Sequence, residues 1–279
     1  MTPAAKPKPF QPILTFDVET PEDRLALATV HSIQADLEQS MHTERNKKQT
    51  IGISEIGTDC MRCLARKVAL LTPKVELVSW RAHVGTMMHA YLEDYFGDVH
   101  RTGDPWEHDP EEQKTPRDDD PVYWMERKLV IHNFGLFVLE GSCDMFIEGV
   151  SFGVVDDWKT KSQATLAKLS NGKVDSTYYI QANTYAYGWA LLGKKVTHTL
   201  IYGLPRDGEL AEAKPILMRY DEQVVIDRIA LIENLIAAAG IAGWRAVIDA
   251  QQQAGHCFDC QRFDAADSGS FISDLTGGE

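Results

Sequence analysis

Asp144 in Gly141-Ser142-Cys143-Asp144 and Asp157 in Val155-Asp156-Asp157-Trp158-Lys159-Thr160 stand on two strand-like stretches, 136–148 and 152–160. In a period-two strand Asp157 and Lys159 point to the same side, at the acidic end of the apolar Val154-Val155 run. Burying two carboxylates and an ammonium together costs several kcal/mol unless something compensates, and a bound cation is the usual compensation. The set therefore reads as a metal site with an attached lysine, the equipment for cutting a phosphodiester.

The triplet acid-any-lysine is weak by itself, because it occurs at Glu112–Lys114, Glu126–Lys128, Asp157–Lys159 and Glu212–Lys214. The first falls in a highly charged loop and the last beside Pro215, so both read as solvated surface. Glu126-Arg127-Lys128 follows the apolar Val122-Tyr123-Trp124-Met125 and competes, but its upstream acids Asp118 to Asp120 sit in a polar run. Only the third triplet has an acid one strand earlier.

Other residues could complete such a site. His89 and Glu93 lie four apart and share a helical face, where a neutral imidazole suits Mn²⁺ and tolerates Mg²⁺. Glu93 is either a supporting partner or an ordinary helix pair. Gln181 and Tyr185 also share a helix face, from which an amide and a phenol could reach the sheet edge. Tyr178, Tyr187 and Trp189 could stack bases, although core packing suits most of them better. Cys60-Met61-Arg62-Cys63 and Cys257-Phe258-Asp259-Cys260 are two cysteine pairs of equal spacing near opposite ends of the chain. Together they supply four thiolates, enough for tetrahedral zinc or an iron–sulfur cluster, and a shared metal would clamp the two ends. Cys143, the fifth cysteine, reads as a small core residue.

The elements that must position these residues follow from pattern. Residues 1–19 read as a loose proline-rich segment. Thr20-Pro21-Glu22-Asp23 starts a helix reaching about Glu44, with Leu25, Leu27, Val30, Ile33 and Leu37 as a stripe expected to pack on the core. Ser54 is expected to cap a helical region reaching Leu71, and Trp80 to about Phe96 is a third helix. Strands over 122–132, 136–148 and 152–160 precede helices at 163–169 and 176–192, strands at 196–204 and 214–220, and one long helix from Glu222 to about Gln251. The segment from Asp264 reads as a disordered tail, leaving 20–263 as a single domain. The order implies an α/β fold with a mixed central β-sheet flanked by helices and helical extensions at both ends.

With 279 residues, 44% of them hydrophobic, the chain can bury one sizeable core. No apolar window is long enough for a membrane helix, and the N-terminus with Lys6 and Lys8 lacks a signal peptide's apolar segment, so a cytoplasmic location is expected. A net charge of −13 argues against indiscriminate nucleic-acid binding and predicts strong salt sensitivity for any phosphate contact. Much of that charge is local: residues 104–120 hold eight acids against Lys114 and Arg117, and five acids lie from Asp259 onward.

Taken together, Gly85 to His89, Gly141 to Asp144, Val155 to Thr160 and Gln181 to Tyr185, flanked by cysteines, resemble the RecB-like branch of the PD-(D/E)xK nuclease superfamily. The similarity spans about residues 54–260 and is closest to the CRISPR-associated, iron–sulfur-bearing exonucleases and their phage-encoded relatives. It implies a restriction-endonuclease-like core and a metal-dependent DNA exonuclease that processes DNA ends in recombination, replication or CRISPR adaptation. By that resemblance His89, Asp144, Asp157 and the Trp158 carbonyl would hold Mg²⁺ or Mn²⁺. Lys159 would orient the attacking water, and Gln181 and Tyr185 would support the substrate end. Cys60, Cys63, Cys257 and Cys260 would bind a [4Fe–4S] cluster, with Zn²⁺ as the alternative. Such families usually place one cysteine before the core and three after it, whereas here the split is two and two. DNA is the implied partner, with a helicase, a recombinase or CRISPR adaptation proteins as candidates and oligomerisation left open; if the gene is phage-borne, the setting is the host cytoplasm. The chain has no phosphate-binding glycine loop ending in Lys-Ser or Lys-Thr, so a motor would be a separate protein. The competing reading is a non-catalytic DNA-end-binding or scaffold subunit working with a helicase.

Overall fold

Each stretch of apolar alternation between 122 and 161 forms a strand, and the three pair in order. The computed structural model describes residues 20–40, 50–71, 80–99, 120–169, 174–255, 257, 259, 260 and 263. Its elements are α1 (Pro21–Ser40), β1 (Thr50–Gly52), α2 (Ile53–Ile56), α3 (Met61–Val68), α4 (Trp80–Val99), β2 (Val122–Asn133), β3 (Val138–Glu148) and β4 (Gly153–Lys161). They continue with α5 (Gln163–Leu169), α6 (Ser176–Leu191), β5 (His198–Pro205), β6 (Lys214–Arg219), α7 (Glu222–Ala242) and α8 (Trp244–Ala250). Residues 20–40 and 80–83 fall in one compact unit and the other described residues in a second, which carries everything that follows. Among the described residues no helix is long and apolar enough to cross a membrane.

The sheet is mixed, as expected for this element order. Strand β2 lies antiparallel along the whole of β3, from Val122↔Glu148 to Asn133↔Val138. A strand has two edges, so β1 and β4 must share the other one. The former pairs parallel with Val138 to Glu140, the latter antiparallel with Met145 to Glu148. Residues 141–144 therefore border a gap between two pairing partners. Next, β4 runs parallel to β5 from Val154 to Lys161, and β6 closes the sheet antiparallel to β5.

The crossover from β4 to β5 passes through α6, which is buried on almost every side from Ile180 to Ala186. A helix without a polar face is a core helix. Trp189 stacks on Phe146 with centroids 4.5 Å apart and meets Trp124 at 5.6 Å. The polar residues of this helix serve as ties. The Asn183 amide donates to the Tyr179 carbonyl at 2.8 Å, and its oxygen accepts the Asp221 N–H at 2.8 Å. Asp221 caps α7 and also accepts from the Tyr179 hydroxyl at 2.9 Å, so α6 and α7 are joined by a closed polar network.

Four sequence expectations change. Of the stripe expected on α1, Val30 and Ile33 are exposed; the expected end near Glu44 and the segments 1–19 and 264–279 lie outside the described residues. The region after Ser54 is two short helices, and the turn is closed by the Glu55 carboxylate accepting the Gly52 N–H at 3.0 Å, leaving Ser54 exposed within α2. The expected long C-terminal helix is broken at Gly243, whose φ of 79° lies in the left-handed region that a residue with a Cβ avoids. Strand β1 is three residues long and carries no alternation that a sequence could display.

Candidate active site and metal centre

Two strands slip phase at the same height. Trp124, Leu129 and Ile131 of β2 pack in the main core, as do Leu139, Cys143 and Phe146 of β3. The steps from 124 to 129 and from 143 to 146 are odd, whereas a regular strand returns to one face only after an even step. The slips coincide, because Met125 pairs with Met145 and Arg127 with Cys143. Glu126, between them, has φ 42°, a conformation that costs a non-glycine residue about 1–3 kcal/mol. In consequence Met125 and Met145 join a second apolar cluster with Trp158 and Leu204, and Glu126 and Asp144 come together.

Beside this slip, β4 leaves β3. Its last partner there is Met145, opposite Asp156, while its pairing with β5 continues to Lys161. Asp144 spans the fork, its Oδ2 accepting the Trp158 N–H at 2.7 Å. Asp157, only 1% exposed, points toward α6, where the Gln181 amide donates to its Oδ1 at 3.1 Å. Its Oδ2 meets the Lys159 ammonium at 2.7 Å. Tyr185 is buried one turn further along α6 from Gln181. Gly141 lets that phenol approach, since a Cβ there would stand 3.3 Å from the Tyr185 hydroxyl.

His89 reaches the fork from α4. Its Nδ1 lies 3.3 Å from Asp144 Oδ1 and its Nε2 3.1 Å from the Trp158 carbonyl oxygen. One atom each from His89, Glu126 and Asp144 lie within 4.8 Å of one another, a donor set of imidazole and carboxylate oxygens. Such hard oxygen and nitrogen donors suit Mg²⁺ or Mn²⁺. The electrostatics fit a cation as well. Burial and then the Asp144 and Glu93 charges push Glu126 up to about 7. Burial raises Asp157 to about 6 with help from Asp144, although Lys159 opposes it. Burial alone would lower His89, but the Asp144 hydrogen bond and charge leave it above its ordinary value. Lys159 is likewise held above its usual value by Asp157 and Asp144 against burial. Both ring nitrogens of the imidazole thus face acceptors.

Every sequence-selected residue of this group is placed: His89 and Asp144 meet, the Trp158 carbonyl faces His89, and Lys159 and Gln181 both touch Asp157, with Tyr185 next to Gln181. Asp157 stands outside the 4.8 Å group. Glu126 is the residue that sequence reasoning passed over. The available signal was its place in the competing triplet, directly after an apolar strand.

The cysteine pairs also meet. Cys60 precedes α3, Cys63 lies within it, and Cys257 and Cys260 come from the far end of the chain. Three sulfur pairs are 3.2, 3.3 and 3.5 Å apart and all four sulfurs lie within 4.8 Å of one another. Four thiolates around one tetrahedral zinc, at about 2.3 Å from it, stand about 3.8 Å apart. A four-iron cluster gives each thiolate its own corner and spreads them further. The cavity therefore fits a metal, and a single ion with the smaller movement. Burial pushes Cys63 upward and Cys260 up to about 12, whereas Cys60 is lowered, backbone hydrogen bonds from Ala254 and Cys63 outweighing burial. Arg66, 1% exposed, donates from Nη1 to the Cys260 carbonyl at 3.2 Å and lies over the Phe263 ring at 5.6 Å. A buried guanidinium is well placed to offset the negative charge of four thiolates and a divalent ion.

No protein-family model and no curated protein matches this chain. Among solved structures it is similar to an alkaline exonuclease from Laribacter hongkongensis, with 9% identity and a TM-score of 0.44 over 73% of this chain and 91% of that one. The structure of that exonuclease in complex with dAMP gives 11% identity and a TM-score of 0.44 over the same shares, 73% and 91%. A protein from Eubacterium rectale proposed to be an exonuclease gives 13% identity and a TM-score of 0.41 over 85% of this chain and 99% of that one.

Proposed function

We propose that this chain is a metal-dependent DNA exonuclease of the RecB-like kind, working at the fork where β4 leaves β3. The observation that carries the reading is the convergence of Asp144, Asp157 and Lys159 on that fork, with a 2.7 Å contact between Lys159 and Asp157. A binding module has no use for buried carboxylates facing a phosphate, whose mutual repulsion only a cation relieves. His89, Glu126, Asp144, Asp157 and the Trp158 carbonyl are the residues that would hold Mg²⁺ or Mn²⁺. Such an ion supplies polarisation of the scissile phosphate and a lowered pKa for its bound water.

The protein's own groups do the rest. Lys159, kept charged by its carboxylate neighbours, positions water and offsets negative charge developing on the phosphorane oxygens. Gln181 holds Asp157 in one rotamer, and Tyr185 supports Gln181. Asp144, tied to the Trp158 N–H, keeps the fork open at a fixed width. The restriction to strand ends follows from the resemblance in the sequence. Incubating the protein with end-labelled DNA and Mn²⁺ tests the activity: stepwise shortening is expected, and full cleavage by both Asp157→Ala and Lys159→Ala would remove the assignment.

The four cysteines, in this reading, form a structural metal centre joining the two ends of the nuclease unit. Sulfur spacing favours a single zinc-like ion, and the resemblance favours a [4Fe–4S] cluster. Colour and metal content of freshly purified protein separate them: colourless with one zinc per chain, or brown with iron.

A further inference from the structure

Resting on the nuclease reading, we propose that Lys161 and Tyr178 form a second phosphate subsite, which holds the phosphate adjacent to the scissile one on a single DNA strand. Alternation along β4 puts Asp157, Lys159 and Lys161 on one face, each about 6.6 Å from the next, the scale of one nucleotide step along a sugar–phosphate backbone. The row starts at the fork and leads away from its carboxylates.

One ring ties the two lysines together. The Lys161 ammonium is 4.5 Å from the centroid of Tyr178 and the Lys159 ammonium 5.6 Å from it. Their partners differ. Lys159 is neutralised by Asp157 at 2.7 Å. Among the described residues Lys161 has no carboxylate in ion-pair range, and its ammonium donates to the Tyr178 hydroxyl. An ammonium has three protons, so two remain for another acceptor, and a phenol that accepts from lysine keeps its own proton to donate. Two donors of an uncompensated cationic pair thus converge beside the catalytic row. A non-bridging phosphate oxygen matches both donors.

The test uses the full-length protein and a single-stranded oligonucleotide carrying one neutral methylphosphonate, placed on either side of the scissile bond in turn. Lys161→Ala and Tyr178→Phe should each lower kcat/KM on the all-phosphate strand, Lys161→Ala by about 10- to 100-fold. In Ca²⁺, Lys161→Ala should also reduce the salt slope of binding by about 0.7. Wild-type protein should lose a similar factor when one of the two flanking phosphates is neutral, and on that strand Lys161→Ala should add nothing further. A Lys161→Ala effect that is absent, or undiminished on both methylphosphonate strands, overturns the subsite while leaving the nuclease intact. Wild-type protein that neither cuts nor binds the all-phosphate strand would instead overturn the parent reading. Thermal melts of both variants check that they fold.

Discussion

Glu126→Gln distinguishes a cation ligand from a strand residue that merely happens to be acidic. In the metal-free protein the Glu126 carboxylate lies within 4.8 Å of that of Asp144. Two unit charges at that separation repel by roughly 3–4 kcal/mol at an effective dielectric of about 20. Partial exposure of Glu126 reduces this to about 1 kcal/mol. Neutralising Glu126 at pH 8, above the value of about 7 to which its surroundings push it, should therefore stabilise the protein in EDTA. For a unit of this size that is a Tm rise of about 2–4 °C. Glutamine keeps the length and the backbone conformation, so the strain at φ 42° is common to both proteins and cancels. Manganese should reverse the order. The variant offers one charged oxygen fewer, and its affinity for Mn²⁺ should fall by roughly 10- to 100-fold. Differential scanning fluorimetry with EDTA and with Mn²⁺, together with calorimetric titration of Mn²⁺, reads both effects. A lower Tm in EDTA combined with unchanged Mn²⁺ affinity would refute the reasoning.

Gln181→Ala removes the amide that holds Asp157 at 3.1 Å and should lower kcat by about 10- to 100-fold while DNA binding in Ca²⁺ persists; single-turnover kinetics read the difference. Asp157 and Glu126 are raised to about 6 and about 7, so the folded protein keeps protons that the unfolded chain releases. The stability they contribute is full below the ordinary carboxylate range and is lost as pH rises through about 6 to 7, so metal-free melts should drop across that window and Mn²⁺ should restore them. A metal-free Tm that climbs over the same interval would contradict the shifts. Cys260→Ser should release the bound metal and, because the centre closes a loop of 197 residues, cost about 5 kcal/mol on a chain-entropy argument; denaturant melts and metal analysis check it.

The candidate site could be read in the sequence wherever it was local. Asp144 and Asp157-x-Lys159 were visible because strand alternation decides which side chains share a face within one strand. Gln181 with Tyr185 and the two cysteine pairs were visible because helical and two-residue spacings are themselves signatures. Strands β2 to β6 and helix α6 followed for the same reason. Glu126 was not visible as a site residue. Its approach to Asp144 needs a slip in two strands at one height and a left-handed residue between them, and neither is encoded by a period. Nor could residue type announce that β4 would part from β3 at Met145, for that depends on β1 and β4 sharing one edge of β3. The break at Gly243 was legible only as a glycine, since its positive φ is imposed by where α8 must pack. Periodicity, composition and spacing thus determined the elements and most of the reactive groups. Only the tertiary structure decided which carboxylates meet and how wide the fork opens, because cross-strand register is set by partners distant in the chain.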